Sequence, residues 1–188
     1  VSEPATNGNA DIAQKNFSND ARLVFANSDA PWSGVAGLFT NHTRSDDTLN
    51  NRGISAFEDR KKSLGVYGEL THRLGERWRL TGGLRYQRDQ VRRSGTTPFA
   101  GAPLDYEQTF SAWLPKLALA YDVNRDWTVG GLVSKGYNPG GTGLSFARAS
   151  YMPFKPETVK NYELFTRGTL LGGRMSLEAN VFYADIRN

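Results

Sequence analysis

From Trp78 onward the chain alternates: Trp78, Leu80, Gly82, Leu84 and Tyr86 hold one parity, and Arg79, Thr81, Gly83, Arg85 and Gln87 hold the other. A helix would mix these two sets, whereas a pleated strand sends them to opposite faces. The pattern recurs. Trp127, Val129, Gly131 and Val133 oppose Thr128, Gly130, Leu132 and Ser134, and Leu64, Val66, Gly68 and Leu70 oppose Tyr67, Glu69, Thr71 and Arg73. Met175, Leu177, Ala179, Val181 and Tyr183 oppose Ser176, Glu178 and Asn180, with Phe182 breaking the rule. Pro115, Leu117, Leu119 and Tyr121 face away from Lys116, Ala118 and Ala120. Less regular stretches at 17–26, 32–41 and 162–170 bring the expected strands to eight.

The connections alternate in length. The short ones, 27–31, 75–77, 124–126 and 172–174, are rich in turn formers and read as hairpin turns. The long ones, about Ser45–Lys61, Arg92–Thr109 and Asn138–Thr158, are polar and exceed a simple turn. Trp32, Trp78, Trp127 and Met175 each follow a short turn, at intervals of 46, 49 and 48 residues. A propeller repeats at that spacing but needs four short strands per unit. Here each unit offers two strands of about 10 residues, the length that crosses a bilayer at a tilt.

No apolar run approaches the roughly 20 residues of a spanning helix. A barrel strand, however, needs only alternate apolar residues. Absence of cysteine excludes a disulfide scaffold and thiolate metal sites, and two histidines are too few for a histidine-rich one. The 23 basic and 19 acidic residues leave a modest +4, which gives no reason to expect nucleic-acid binding. An apolar face also suits a soluble sandwich or a lipocalin-like barrel. Three features favour lipid. Trp32, Trp78 and Trp127 stand where interface aromatics would, all short turns share one end, and the other face carries Glu69, Arg79, Arg85, Lys116, Arg167 and Glu178.

Gly136-Tyr137-Asn138-Pro139-Gly140-Gly141 after an apolar strand, then Phe154-Lys155-Pro156-Glu157-Thr158-Val159-Lys160-Asn161-Tyr162-Glu163, resembles the barrel of TonB-dependent outer-membrane receptors. Leu80-Thr81-Gly82-Gly83-Leu84-Arg85-Tyr86 and Leu114-Pro115-Lys116 match the preceding hairpins, and Asn16 to Leu23 followed by Trp32-Ser33-Gly34 is similar to an earlier one. The resemblance implies a 22-stranded barrel in the bacterial outer membrane. It also implies a plug domain and an energy-coupling box, neither of which occurs in these residues. Residues 1–188 thus read as a partial barrel domain, cut at both ends. The implied partners are outer-membrane lipid, the TonB energy-coupling complex through the plug, and a ferric siderophore or similar small ligand.

Recognition in such a barrel belongs to outer loops on a rigid scaffold. Aromatics with cations suit an anionic or catecholate-like chelate, and the candidates are Arg52, Phe57, Tyr106, Tyr137, Phe146, Arg148, Tyr151 and Phe154. For each, packing within its own loop is the plainer role. Gly140-Gly141-Thr142-Gly143 could cradle a phosphate, but no Gly-Lys-Ser/Thr follows, so it reads as a flexible surface loop. His42 could serve a hydrolase, or simply face water at the rim. Glu58-Asp59-Arg60-Lys61-Lys62 reads as a solvated loop whose basic end could touch lipopolysaccharide, and the two Asn-x-Ser/Thr matches as coincidence.

The expected fold is all-β: an antiparallel transmembrane β-barrel segment of about eight long strands, with short periplasmic turns and long extracellular loops. The expected function is energised import of a scarce ligand, ferric siderophore first, with no catalytic residues, cofactor or metal site and no nucleic-acid partner. The rival readings are a small closed eight-stranded barrel, an outer-membrane hydrolase and a soluble β-sandwich adhesin module.

Overall fold

The computed structural model describes residues 8–26, 30–50, 53–145 and 148–187. In chain order the strands are β1 (Asn9–Ala26), β2 (Trp32–Asn50), β3 (Ile54–Leu74), β4 (Trp78–Thr96), β5 (Leu104–Asn124), β6 (Trp127–Asn138), β7 (Gly141–Ser145), β8 (Ser150–Phe154), β9 (Glu157–Leu170) and β10 (Met175–Arg187). Eight of them form one antiparallel sheet in the order β1-β2-β3-β4-β5-β6-β9-β10, and β7 and β8 pair separately as a small hairpin. β1 and β10 are the open edges, which explains why Val181, Phe182 and Tyr183 are all exposed despite their alternating parity.

Strand register turns the alternation into two walls. One outward rung aligns Leu38, Val66, Tyr86 and Trp113 across β2 to β5, and another aligns Gly34, Leu70, Gly82 and Leu117. Trp78 and Tyr121 close this apolar band at the short-turn end, with ring centroids 4.6 Å apart, and Tyr86 and Trp113 close it at the other end, 4.9 Å apart. The two aromatic pairs are eight residues apart along β4, about 27 Å of strand. Tilted, that span matches an apolar band about 25 Å tall between two aromatic girdles. Trp32 stacks on His72 at 3.9 Å, and Trp127 lies across Gly168, so both extend the first girdle. The second girdle went unread because Tyr86 and Trp113 lie on different hairpins and meet only through register.

The core is inverted relative to a soluble protein. Among the described residues the only buried apolar side chains are Phe57 and Leu104, while Trp78, Leu80 and Leu84 remain 44%, 37% and 48% exposed. Among the described residues no second sheet covers that outward face, which does not favour the sandwich reading. Inward, the wall is polar and cross-linked. Lys116 Nζ donates to Glu69 Oε2 at 2.7 Å across the bare Gly83 of the intervening strand, and Arg79 pairs with Asp122. Arg85 donates to Gln87 Oε1 at 2.7 Å and lies over the Phe39 and Tyr67 rings.

The expected long loops need correction. Most of Ser45–Lys61 and of Arg92–Thr109 is strand, because the ladder between β2, β3, β4 and β5 continues well past the outer girdle. Water wets both faces there, so the apolar-polar contrast disappears while the hydrogen bonding persists. Gly75, with φ +67°, makes one of the short turns; only glycine takes that conformation without strain.

Leu117 of β5, opposite Gly82, lies midway between Trp113 and Tyr121, at the middle of the apolar band. Leu117→Arg in the full-length receptor should cost about 2–4 kcal/mol, read by urea unfolding in lipid vesicles. Ser94→Arg, facing outward on β4 but beyond the outer girdle, should stay within about 0.5 kcal/mol.

Candidate functional site

On the inner wall beyond the outer girdle, the strands carry aromatic and charged residues around one cleft. Arg93 is seven residues past Tyr86 on β4, about 24 Å further out along the strand. Its guanidinium sits over the Phe57 ring of β3, 4.8 Å from the centroid, and reaches the Asp59 carboxylate at 3.6 Å. Tyr106 of β5 is its cross-strand partner. Burial pushes the Asp59 carboxyl up, the Arg93 charge opposes that shift, and Asp47 adds to it. Ser55 and Thr97 share a 2.7 Å hydrogen bond at the outer end of this wall.

The hairpin β7–β8 folds over the inner wall rather than out into water. Tyr151 of β8 meets Phe57 edge-on at 6.3 Å, closing a cleft of about 310 Å³ with Arg93, Phe99, Leu104 and Thr142. The Tyr151 hydroxyl is buried without a hydrogen-bond partner among the described residues, and the Tyr137 hydroxyl is buried beside the Asp89 carboxylate. Burial raises both phenols, and Tyr137 is raised further by the nearby Asp89 carboxylate. Burial likewise raises Tyr106. A buried phenol with unused hydrogen-bonding capacity is costly to keep, so the Tyr151 hydroxyl is placed to meet a ligand that enters the cleft.

The structure therefore brings Phe57 and Tyr151 together, with Tyr106 beside them and Tyr137 further down the same wall near Asp89. Arg148 is placed differently: exposed, it donates to Met152 Sδ at 3.7 Å. Phe154 is 54% exposed and its ring covers Gly141. Arg52 and Phe146 lie outside the described residues. His42 faces outward beside Lys62, on the wall away from the cleft. Gly140, Gly141 and Thr142 are buried, which corrects the flexible-loop expectation. Sequence reasoning missed Arg93, Leu104, Ser55 and Thr97. The parity of Ser55, Phe57, Asp59, Lys61 and Ser63, continuous with Tyr67 and Glu69, was the signal that could have found this wall.

Residues 2–188 match the sequence profile described as TonB dependent receptor-like, beta-barrel. The chain belongs to that family. It is an outer-membrane protein with an all-β, antiparallel sheet like those of the receptor barrels. It is 28% identical over 143 residues to the pesticin receptor of Yersinia pestis, a match covering 74% of this chain and 20% of that protein. Its fold superposes on the ferric yersiniabactin uptake receptor FyuA of Y. pestis with TM-score 0.80 and 23% identity, over 96% of this chain and 30% of that one. The ferric-catecholate import receptor Fiu of E. coli gives TM-score 0.73 at 17% identity, over 95% and 32%. The chain thus spans about a fifth of the length of the pesticin receptors it matches.

A Cβ at Gly140 would lie 2.5 Å from the Phe154 carbonyl oxygen and 2.9 Å from the Phe110 ring. Backbone cannot yield cheaply there. Gly140→Val should therefore unseat the β7–β8 hairpin and speed protease cleavage within 139–156 on whole cells by about tenfold, a local loosening of roughly 1.4 kcal/mol. Cleavage at the wild-type rate would contradict the packing described.

Proposed function

We propose that this chain forms part of the barrel of an outer-membrane receptor that imports a scarce small ligand, a ferric siderophore first. The observation that carries the reading is the Phe57–Arg93–Tyr151 cleft, on the inner wall of a family whose similar proteins include receptors for ferric chelates. Guanidinium and aromatic faces together bind anionic, ring-bearing chelates: the cation neutralises charge and the rings stack. In this reading the barrel does no chemistry. It holds the receptor surface in place, and energy reaches the transport step from the TonB complex through a plug domain supplied by the rest of the protein. Tyr106 and Tyr137 would line the path inward from the cleft, with Arg148 and Phe154 contributing at its outer rim.

The test uses the full-length receptor in its own host under iron limitation, with radiolabelled iron supplied as ferric yersiniabactin and, separately, as a ferric catecholate. Arg93→Gln and Phe57→Ala should each lower uptake of one of these by about tenfold at equal receptor abundance, as for contacts that anchor a ligand. Uptake of both chelates at wild-type rates in the double variant would refute the assignment of this cleft.

A further inference from the structure

The outer wall changes character abruptly just beyond the Tyr86–Trp113 girdle. Counting outward along the register, the next rungs hold Arg88, then His42 and Lys62, then Arg44, Arg60 and Arg92. These last three arginines stand directly opposite one another on β2, β3 and β4, and all face away from the barrel interior. Like charges placed opposite one another across strands destabilise a sheet. Here three guanidiniums are stacked on one rung and are each nearly half exposed, at 46%, 46% and 49%.

Carboxylates relieve this only in part. Glu58 pairs with Arg60 and lies 3.5 Å from Arg44, Asp46 lies 3.3 Å from Arg44, and Asp105 lies 3.6 Å from Arg92. All three acids belong to the next rung outward, farther from the membrane. Lys62 and Arg88, nearest the apolar band, have no ion pair among the described residues. Between the strands lies a cleft of about 400 Å³ lined by Arg44, Arg60, Lys62 and Arg92, with Glu107 its one carboxylate, held by Gln90 at 2.6 Å.

Position decides what can occupy it. The apolar band below touches acyl chains, so a cationic cleft on the same wall, one to three rungs further out, meets the headgroups of the outer leaflet. We propose that this cleft binds the phosphate groups on the saccharide headgroup of an outer-leaflet glycolipid. Arg44, Arg60 and Arg92 would share the phosphate oxygens through forked hydrogen bonds, and Lys62 and Arg88 would meet the charge nearest the acyl chains. The bound anion also removes the arginine-on-arginine repulsion. This inference rests on which wall faces lipid and not on the imported ligand, so it stands or falls separately from the siderophore reading.

The test is retention of lipopolysaccharide by the full-length receptor purified in detergent, counted by native mass spectrometry. The triple variant Arg44→Gln/Arg60→Gln/Arg92→Gln should retain about tenfold less than wild type, the size of one lost charge-assisted hydrogen bond. The triple lysine variant should keep part of the retention, and Arg125→Gln, in a short turn at the opposite end, should keep all of it. If the triple glutamine variant fails to assemble, Lys62→Gln/Arg88→Gln is read in the same assay and should lose several-fold. Undiminished retention in the assembled glutamine variants would overturn the proposal. So would equal retention of dephosphorylated lipopolysaccharide, or full displacement by millimolar inorganic phosphate, which would mark a free-anion site. Radiolabelled iron uptake, measured in parallel, reports on the transport reading alone.

Discussion

Everything in this chain follows from one constraint: a backbone that crosses hydrocarbon must satisfy every N–H and C=O within the protein. An antiparallel ladder does this between strands, and its pleat then forces residues to alternate between lipid and interior. Trp78, Leu80 and Leu84 can be exposed, and Arg79, Arg85 and Lys116 half-buried, because the apolar solvent lies outside. The polar interior then needs its own bonds, which Lys116–Glu69 and Arg79–Asp122 provide. Large aromatics on partner strands cover bare glycines, as with Trp127 over Gly168, Phe165 over Gly130 and Tyr67 over Gly37, and stiffen the wall.

The same ladder that spans the membrane carries on beyond it. β3 and β5 each run 21 residues, about twice the length needed to cross. This extension would give the proposed recognition surface its rigidity. Phe57, Arg93 and Tyr106 sit on strands, and only Tyr151 depends on the folded-over hairpin. Outward, the extension presents the arginine rung to the headgroup region. One piece of secondary structure thus serves three solvents in succession: hydrocarbon, headgroups and water.

Fold class, the strands near the short turns and the first aromatic girdle were legible in the sequence, because there the two faces meet different solvents and the alternation is sharp. Beyond the outer girdle both faces are wet, so Ile54–Lys61 and Arg92–Thr96 looked like loop although their hydrogen bonding is continuous. Phe57 and Tyr151 were singled out by residue type alone. That they meet, and that Arg93 lies between Phe57 and Asp59, depends on register and on a hairpin turning inward, which local sequence does not encode. Gly140 and Gly141 were misjudged for a related reason: glycine marks flexibility and close packing alike, and only the Phe110 and Phe154 contacts decide between them.

The most direct test of this account is the accessibility of a nitroxide spin label on adjacent residues of β4 in the reconstituted full-length receptor. Labels at Leu84→Cys and Arg85→Cys differ by one residue and, on this account, by solvent. The Leu84 position should be relaxed strongly by molecular oxygen and hardly at all by a water-soluble nickel chelate, with the order reversed at Arg85. Equal behaviour at the two positions, or an aqueous Leu84, would contradict it.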